Sequence, residues 1–289
     1  MRPWLVAARP ATLLAAVAPV LVGSGLAAAD RVLRWNAFGA TLAAAVLINV
    51  AANFSNDASD ARRGADTDLR IGPPRAVATG LLTARQVWTG TAGVLTVAAG
   101  LGIYLAWISS WVIVAIGAAS ILAMLGYTGG PWPYGYRAFG ELFVFVFFGL
   151  IAVVGSRYVH DTTAPLEAWL LAVPVGFLVT AILVANNVRD IDTDSTSGKR
   201  TLAVVIGREA ARRVFKVLII GAFVLVAVFA ATGETAPGSL ISLAALFLAY
   251  SPIRAIATSV DGLVLIKALE GTARLHLAFG ALLAVGVQI

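Results

Sequence analysis

The chain has 289 residues, of which 60% are hydrophobic and only 12% are charged, with a mean hydropathy of +0.89 and a net charge of +6. Soluble domains contain roughly 45–50% apolar and about 25% charged residues, so this composition excludes an ordinary soluble protein and indicates an integral membrane protein. The absence of cysteine excludes disulfides, thiolate catalysis and cysteine metal sites.

Long apolar stretches follow one another along the whole chain, and we interpret residues 1–289 as one all-α transmembrane domain. A helix needs about 20 mostly apolar residues to cross the hydrocarbon of a bilayer. The first stretch contains Pro10 and Pro19, and we interpret it as a spanning helix and not as a cleaved signal peptide. The nine predicted spans are 11–29, 37–56, 86–107, 109–127, 139–156, 167–188, 214–232, 237–254 and 272–289.

The positive charges predict the orientation of these spans. With nine spans, all 21 Lys and Arg residues except Arg31, Arg34 and Arg157 fall on the side of the N-terminus. Because cytoplasmic segments carry an excess of Lys and Arg, the N-terminus is predicted to be cytoplasmic. The same asymmetry explains the basic net charge, so no nucleic-acid partner is needed to account for it.

The order of spans and polar segments predicts an internal repeat. Two polar inner loops, about 57–85 and 189–213, each follow a pair of helices and are followed by another pair. Asn53 and Asp57 recur 133 residues later as Asn186 and Asp190. We therefore expect two four-helix halves related by a pseudo-repeat, with one further helix at the end.

Each half carries a polar stripe at its inner membrane surface. Side chains three or four residues apart share one face of a helix. Polar stripes that run into apolar spans are costly unless they line a cavity. The first stripe consists of Asn49, Asn53, Asp57 and Asp60, and the second of Asn186, Asp190 and Asp194.

Aspartates beside basic residues suggest a particular ligand. Mg²⁺ prefers oxygen ligands and is usually held by one or two carboxylates together with substrate phosphates. Lys199 and Arg200 directly follow the second stripe and can neutralise the remaining phosphate charge. A single charged loop on an inner membrane face is mostly a solvated topology signal, but two stripes with matching spacing favour a magnesium–diphosphate site.

Several stretches resemble one known family. They are ARPAT (8–12), NDASD (56–60), RAVATGLLT (75–83), YTGGPWPYGYRAFGELFVFVFFG (127–149) and NNVRDIDTDSTSGKRTLAVVIG (186–207). Together they resemble the UbiA superfamily of intramembrane aromatic prenyltransferases, and within it the menaquinone branch, over essentially the whole chain. Many relatives carry a third aspartate four residues after NDxxD, where this chain has Gly64, with Asp66 two residues further.

The resemblance implies a reaction and a location. The expected reaction is the Mg²⁺-dependent transfer of a polyprenyl chain from polyprenyl diphosphate to 1,4-dihydroxy-2-naphthoate, with loss of carbon dioxide and diphosphate. The expected location is a bacterial cell membrane, with the active site facing the cytoplasm. Another aromatic acceptor, such as 4-hydroxybenzoate or homogentisate, is one alternative. A secondary transporter is a more remote one, because transporters also combine repeated halves with intramembrane acids.

The resemblance and the stripes together define the expected site. The expected magnesium ligands are Asp57, Asp60, Asp66, Asp190 and Asp194. Lys199 and Arg137 are further expected catalytic residues. The expected contacts to diphosphate or substrate are Arg9, Asn53, Tyr134, Tyr136, Asn186 and Arg200. Prenyl chain length and oligomeric state are not encoded in any pattern that we recognise.

Overall fold

The computed structural model describes residues 3–65 and 72–289. Within these ranges the chain is helical, apart from one isolated bridge between the backbones of Arg137 and Arg200. The α-helices are α1 (Pro3–Ala8), α2 (Pro10–Ala29), α3 (Trp35–Arg62), α4 (Ala84–Ile108), α5 (Val112–Thr128), α6 (Gly140–Val144), α7 (Ala152–Asp161), α8 (Leu166–Thr196), α9 (Leu202–Ile206), α10 (Arg208–Ala231), α11 (Leu246–Thr258) and α12 (Gly262–Gly286). A π-helical segment, Phe145–Ile151, joins α6 to α7, and 3-10 segments cover Tyr134–Tyr136 and Pro237–Ala245.

Eight helical stretches of the described residues are long and apolar enough to cross a membrane. These include the continuous stretches Gly140–Asp161 and Pro237–Thr258. The predicted span 109–127 corresponds to α5, which has 17 residues and is shorter than the others. The last helix begins at Gly262 and not near residue 272, because Asp261 accepts a hydrogen bond from the backbone N–H of Val264 and caps it there.

Two helices extend well beyond the bilayer core. Helix α3 has 28 residues and α8 has 31, so α8 is roughly 46 Å long at ~1.5 Å per residue, against a hydrocarbon core of about 30 Å. Their last turns contain Asp57 and Asp60 in α3 and Asp190 and Asp194 in α8. The expectation that these acids begin polar loops is therefore wrong, because both acidic clusters belong to helices.

Helix α8 lies at the centre of the main core. Its side chains Leu171, Val175 and Leu178 are fully buried and belong to one cluster with residues of α2, α7, α10 and α12. Burial along nearly the whole apolar part of α8 fixes the orientation of its polar end. By contrast, α4 and α5 expose large apolar side chains such as Trp107 and Leu122, as expected of helices that contact lipid.

A tight crossing fixes the π-helical segment against α8. A Cβ atom added at Gly149 would lie 2.5 Å from the Cα of Gly176, so the two backbones are in direct contact. The aromatic rings of Phe145 and Phe177 pack beside this crossing, with centroids 5.8 Å apart. Single π-helical turns often occur at functional sites, and this one lies in the wall of the cavity described below.

A polar network closes the end of the bundle opposite the acidic clusters. The buried guanidinium of Arg157 donates to the carboxylates of Asp30 and Asp161, at 2.6 Å each. Nδ1 of His160 accepts the backbone N–H of Arg34 at 3.1 Å, and its Nε2 lies 3.3 Å from the Ser24 hydroxyl. This histidine and all three basic residues that the sequence places on the outer side lie at this end of the chain's helices.

Candidate active site

The acidic ends of α3 and α8 open onto one elongated cavity of about 560 Å³. Along α3 its lining residues run from Thr41 to Asp60, a distance of roughly 28 Å at ~1.5 Å per residue. One end is polar and is lined by Arg9, Asn49, Asn53, Asn56, Asp60, Arg75, Asn186 and Lys199. The rest is apolar, with α4, α5 and the π-helical segment forming most of the wall.

Helical geometry selects which residues of α3 face this cavity. At 100° per residue, Asn56 and Asp60 lie about 20° from Asn49 around the helix axis, whereas Asp57 lies about 80° away. The cavity is accordingly lined by Asn49, Asn53, Asn56 and Asp60. Asn56, which the spacing argument overlooked, follows from alternating steps of four and three residues.

Asp57 is completely buried and contacts the chain's own backbone. Its two carboxylate oxygens accept the N–H groups of Ala76 and Val77, at 2.9 and 3.1 Å. These bonds fix the turn that begins at Arg75, whose guanidinium donates to Asp60 at 2.8 Å. Asp57 therefore holds the segment that carries a cavity-lining arginine, and Arg75 is a second residue that the sequence argument did not assign.

Asp60 joins the first cluster to the loop after α5. Besides the bond from Arg75, it accepts the phenolic O–H of Tyr136 at 2.9 Å. The ring of Tyr136 lies 5.5 Å from the cationic group of Lys199, which follows the second cluster. A chain of contacts thus connects the two acidic clusters, as their repeated spacing predicted.

The second cluster lies on the last turns of α8. Arg189 donates to both oxygens of Asp190, at 2.7 and 2.6 Å, and also to the side chain of Asn186. The Lys199 amino group is 3.7 Å from a carboxylate oxygen of Asp194. Of this cluster, Asn186 and Lys199 line the cavity, while Asp190 and Asp194 lie one and two turns further along the helix.

Arg9 reaches the polar end of the cavity through an unusual backbone conformation. It occupies the break between α1 and α2 with φ of 50°, in the left-handed region. Such conformations are uncommon for residues other than glycine and concentrate at functional sites. The neighbouring Asn53 donates to the carbonyl of Ala8 and to the hydroxyl of Thr12, which fixes this break against α3.

Aromatic side chains line the cavity beside its polar end. The ring of Tyr134 stacks on Phe143 with centroids 3.9 Å apart, and Phe143 is followed by Phe147 at 6.0 Å. Tyr127 contacts the edge of Tyr134, with centroids 5.4 Å apart. Burial raises the pKa of Tyr134 well above its usual range, and its hydroxyl donates to the carbonyl of Ala123. These rings therefore present neutral aromatic faces to the cavity.

Two of the expected site residues lie elsewhere. Arg137 and Arg200 line a separate depression with Arg63, Trp132 and Tyr136. The Arg137 guanidinium lies 5.3 Å from the centroid of the Trp132 ring. The bridge between the backbones of residues 137 and 200 places both arginines beside, and not within, the main cavity. Asp66, the fifth expected metal ligand, lies outside the described residues.

Comparison with known proteins agrees with this arrangement. Residues 16–259 match the model of the UbiA prenyltransferase family. The chain belongs to this family. Its members are prenyltransferases, and the helices described above make this one a multi-pass membrane protein.

Relatives of known name cover most of the chain. The 1,4-dihydroxy-2-naphthoate octaprenyltransferase of Mycobacterium tuberculosis is 43% identical over 77% of this chain and 76% of its own length. The protein of the same name from Bacillus subtilis is 31% identical over 97% of this chain and 90% of its own length. The Escherichia coli protein of that name is 34% identical over 78% and 75%.

Solved structures share the fold at lower identity. A UbiA homolog from Archaeoglobus fulgidus bound to DMAPP and Mg²⁺ superposes with a TM-score of 0.67, at 16% identity over 98% of this chain and 99% of that one. The apo structure of a UbiA homolog from Aeropyrum pernix gives a TM-score of 0.70 at 15% identity, covering 96% of both chains. The expected family and helical membrane fold are therefore confirmed.

Proposed function

We propose that this prenyltransferase transfers a polyprenyl chain from polyprenyl diphosphate to 1,4-dihydroxy-2-naphthoate, releasing diphosphate and carbon dioxide. The observation that carries the proposal is a cavity with carboxylate, amide and cationic groups at one end and an apolar remainder. This shape fits a ligand with a charged head and a long hydrocarbon tail. The choice of acceptor follows the relatives from three bacteria that carry this acceptor in their names.

The side chains at the polar end fit Mg²⁺. Among residues 3–65 and 72–289, no three His, Asp or Glu side chains form a ready-made metal cage. Such a cage is not required, since Mg²⁺ usually combines one or two carboxylates with substrate phosphates. We propose Asp60, Asp190 and Asp194 as its ligands, and a positioning role for Asp57. When bound, Mg²⁺ supplies positive charge that stabilises the departing diphosphate.

Cationic side chains complete the proposed diphosphate site. Arg9, Arg75 and Lys199 reach the polar end of the cavity from three separate segments of the chain. Charge-assisted hydrogen bonds from such groups to phosphate oxygens are shorter and stronger than neutral ones. Convergence from separate segments lets these cations hold the diphosphate in one orientation while the allylic C–O bond breaks.

The aromatic wall suits the developing allylic cation. Tyr134, Phe143 and Phe147 face the cavity next to its polar end. Aromatic faces attract positive charge, and an apolar enclosure keeps water from capturing the cation before the electron-rich ring attacks. The attacked ring then loses its carboxylate as carbon dioxide, so the new carbon–carbon bond replaces the bond to the carboxyl carbon.

We further propose nine crossings of a bacterial cell membrane, with the N-terminus and the active site on the cytoplasmic side. Helix α5 supplies the ninth crossing, because 17 residues span roughly 25 Å at ~1.5 Å per residue. The distribution of Lys and Arg supports the orientation. Asn56 and Asp60 shifted by 130 residues give Asn186 and Asp190, which supports two related halves in a register different from 133.

The decisive experiment supplies one labelled donor with different acceptors. Purified protein in lipid nanodiscs receives labelled polyprenyl diphosphate, Mg²⁺ and either 1,4-dihydroxy-2-naphthoate, 4-hydroxybenzoate or homogentisate. We expect labelled prenylated product only with the dihydroxynaphthoate. Product with 4-hydroxybenzoate or homogentisate instead would replace the proposed acceptor, and vesicle uptake of label without any product would favour a transporter.

Metal dependence is tested in the same assay. We expect EDTA to stop product formation and added Mg²⁺ to restore it, because the carboxylates alone would repel the diphosphate. Undiminished turnover in EDTA would contradict the proposed roles of Asp60, Asp190 and Asp194.

A further inference from the structure

Three glycines line the apolar part of the cavity on three different helices. They are Gly102 on α4, Gly117 on α5 and Gly155 on α7. A Cβ atom added at any of them would have no described atom within 4 Å. Glycine weakens a helix relative to alanine, and no described neighbour requires its small size at these positions. The space beside each glycine therefore belongs to the cavity.

The cavity has a fixed floor. Leu105, Ile113 and Val159 line its far end. Just beyond them, the guanidinium of Arg34 donates to the backbone carbonyls of Ile108, at 2.8 Å, and of Val159. This arginine joins the end of α4 to the end of α7, so it holds the floor in place.

The three glycines lie at similar heights above that floor. Gly117 is four residues from Ile113, and Gly155 is four residues from Val159, which is about 6 Å at ~1.5 Å per residue. Gly102 is six residues, or roughly 9 Å, from the end of α4 at Ile108. Along α5, Gly117 is about 15 Å deeper than Tyr127, which marks the polar end.

We propose that Gly102, Gly117 and Gly155 set the length of prenyl chain that the cavity accepts at full rate. The inference rests on the proposed function, since it assigns the apolar part of the cavity to the donor's tail. A leucine side chain at one of these positions would occupy space that the distal isoprene units of a long donor need. A short donor ends before this depth and would not meet the new side chain.

Donor length gives the proposal a quantitative basis. Geranyl diphosphate has a main chain of roughly eight carbons, whose contour cannot exceed about 11 Å with C–C bonds of ~1.5 Å. This is less than the depth of about 15 Å between Tyr127 and Gly117. Octaprenyl diphosphate is several times longer, so its tail must pass the glycines or leave the cavity above them.

The experiment compares matched variants with both donors. Gly102→Leu and Gly155→Leu narrow the cavity, and Gly100→Leu is the control on α4, since Gly100 also has no described atom within 4 Å of an added Cβ but does not line the cavity. The full-length protein in nanodiscs is assayed for kcat/KM with geranyl and octaprenyl diphosphates and one acceptor. We expect Gly102→Leu and Gly155→Leu to lower kcat/KM for octaprenyl diphosphate about tenfold or more, and to leave geranyl diphosphate within about twofold.

The outcomes separate this inference from the proposed function. Equal losses for both donors in folded variants, or no loss for either, would overturn the role of the glycines. Absence of transfer by the unchanged protein with every donor would instead overturn the proposed function. If a leucine variant does not fold, the alanine variants at the same positions are compared. They strengthen the helices, and they must still lower the octaprenyl-to-geranyl ratio for the inference to hold.

Discussion

Asp57 and Asp60 are three residues apart on α3, yet their carboxylates contact different groups. Asp60 faces the cavity and accepts side-chain bonds from Arg75 and Tyr136. Asp57 faces away and accepts two backbone N–H groups. Since only a cavity-facing carboxylate can contact a ligand directly, substitutions of these two residues should give different combinations of effects.

Replacing Asp60 should abolish transfer without unfolding the protein. For Asp60→Asn or Asp190→Asn we expect turnover to fall by about 10²-fold or more, because each removes charge that stabilises the transition state. Asp192→Asn is the matched control, since Asp192 lies on the same helix as Asp190 with 83% of its side chain exposed and pairs with Arg208. Turnover is measured with saturating Mg²⁺, and near-normal rates in Asp60→Asn would contradict its assignment.

Replacing Asp57 should mainly affect stability and donor binding. In Asp57→Asn one oxygen acceptor becomes an NH₂ donor facing a backbone N–H, at a cost of about 1–3 kcal/mol in the free energy of unfolding. We expect a lower thermal midpoint in detergent and a raised KM for the donor, because the turn that carries Arg75 is loosened. A variant with an unchanged midpoint but no turnover would show instead that Asp57 acts on the substrate directly.

At the scale of elements, helix length decides where the acids lie. Helices α3 and α8 continue past the apolar windows, so their aspartates occupy ordered helical turns. Asp and Asn are poor residues for helix interiors, which is why the sequence alone suggested that the helices end earlier. Burial of α8 on nearly all sides and the bonds of Asp57 and Asp190 to their partners stabilise these turns.

The crossing of the π-helical segment over α8 gives a prediction about packing. In Gly149→Ala the new Cβ would lie 2.5 Å from a backbone atom of Gly176, and a backbone cannot move aside cheaply. Overpacking typically costs about 1–3 kcal/mol, so we expect a clearly lower thermal midpoint. In Gly176→Ala the nearest atoms belong to the Phe145 ring, which can rotate, so its loss should be smaller.

Gly93→Ala serves as the control for this comparison, because its Cβ would have no described atom within 4 Å. We expect its midpoint to stay equal or to rise slightly through higher helix propensity. If Gly176→Ala proved more destabilising than Gly149→Ala, the contact at the crossing would have to be revised.

At the scale of the whole molecule, the proposed topology can be tested by labelling. The chain contains no cysteine, so single cysteines can be introduced without a background. In intact cells, Thr163→Cys, beyond α7, should react with a membrane-impermeant maleimide, because that end faces outward in the proposed orientation. Ser197→Cys, beyond α8, should react only after the membrane is opened. The reverse pattern would invert the proposed orientation.

Whole-molecule packing also decides the form of the cavity. Its polar end combines the break before α2, the last turns of α3, the turn at Arg75 and Lys199 beyond α8. These segments are distant in sequence, and only the packing of the helices brings them together. The separation of Arg137 and Arg200 from the cavity arises in the same way, through the bridge between their backbones.

The sequence by itself determined the membrane class, the positions of most helices and the two acidic clusters, because hydropathy and charge are local properties of the chain. It also indicated the family through motifs that are contiguous in sequence. The tertiary structure alone decided that Asp57 turns away from the cavity, that Asn56 and Arg75 line it, and that Gly102, Gly117 and Gly155 meet at one depth. Those facts depend on helix phase and on contacts between distant segments, which no local pattern specifies.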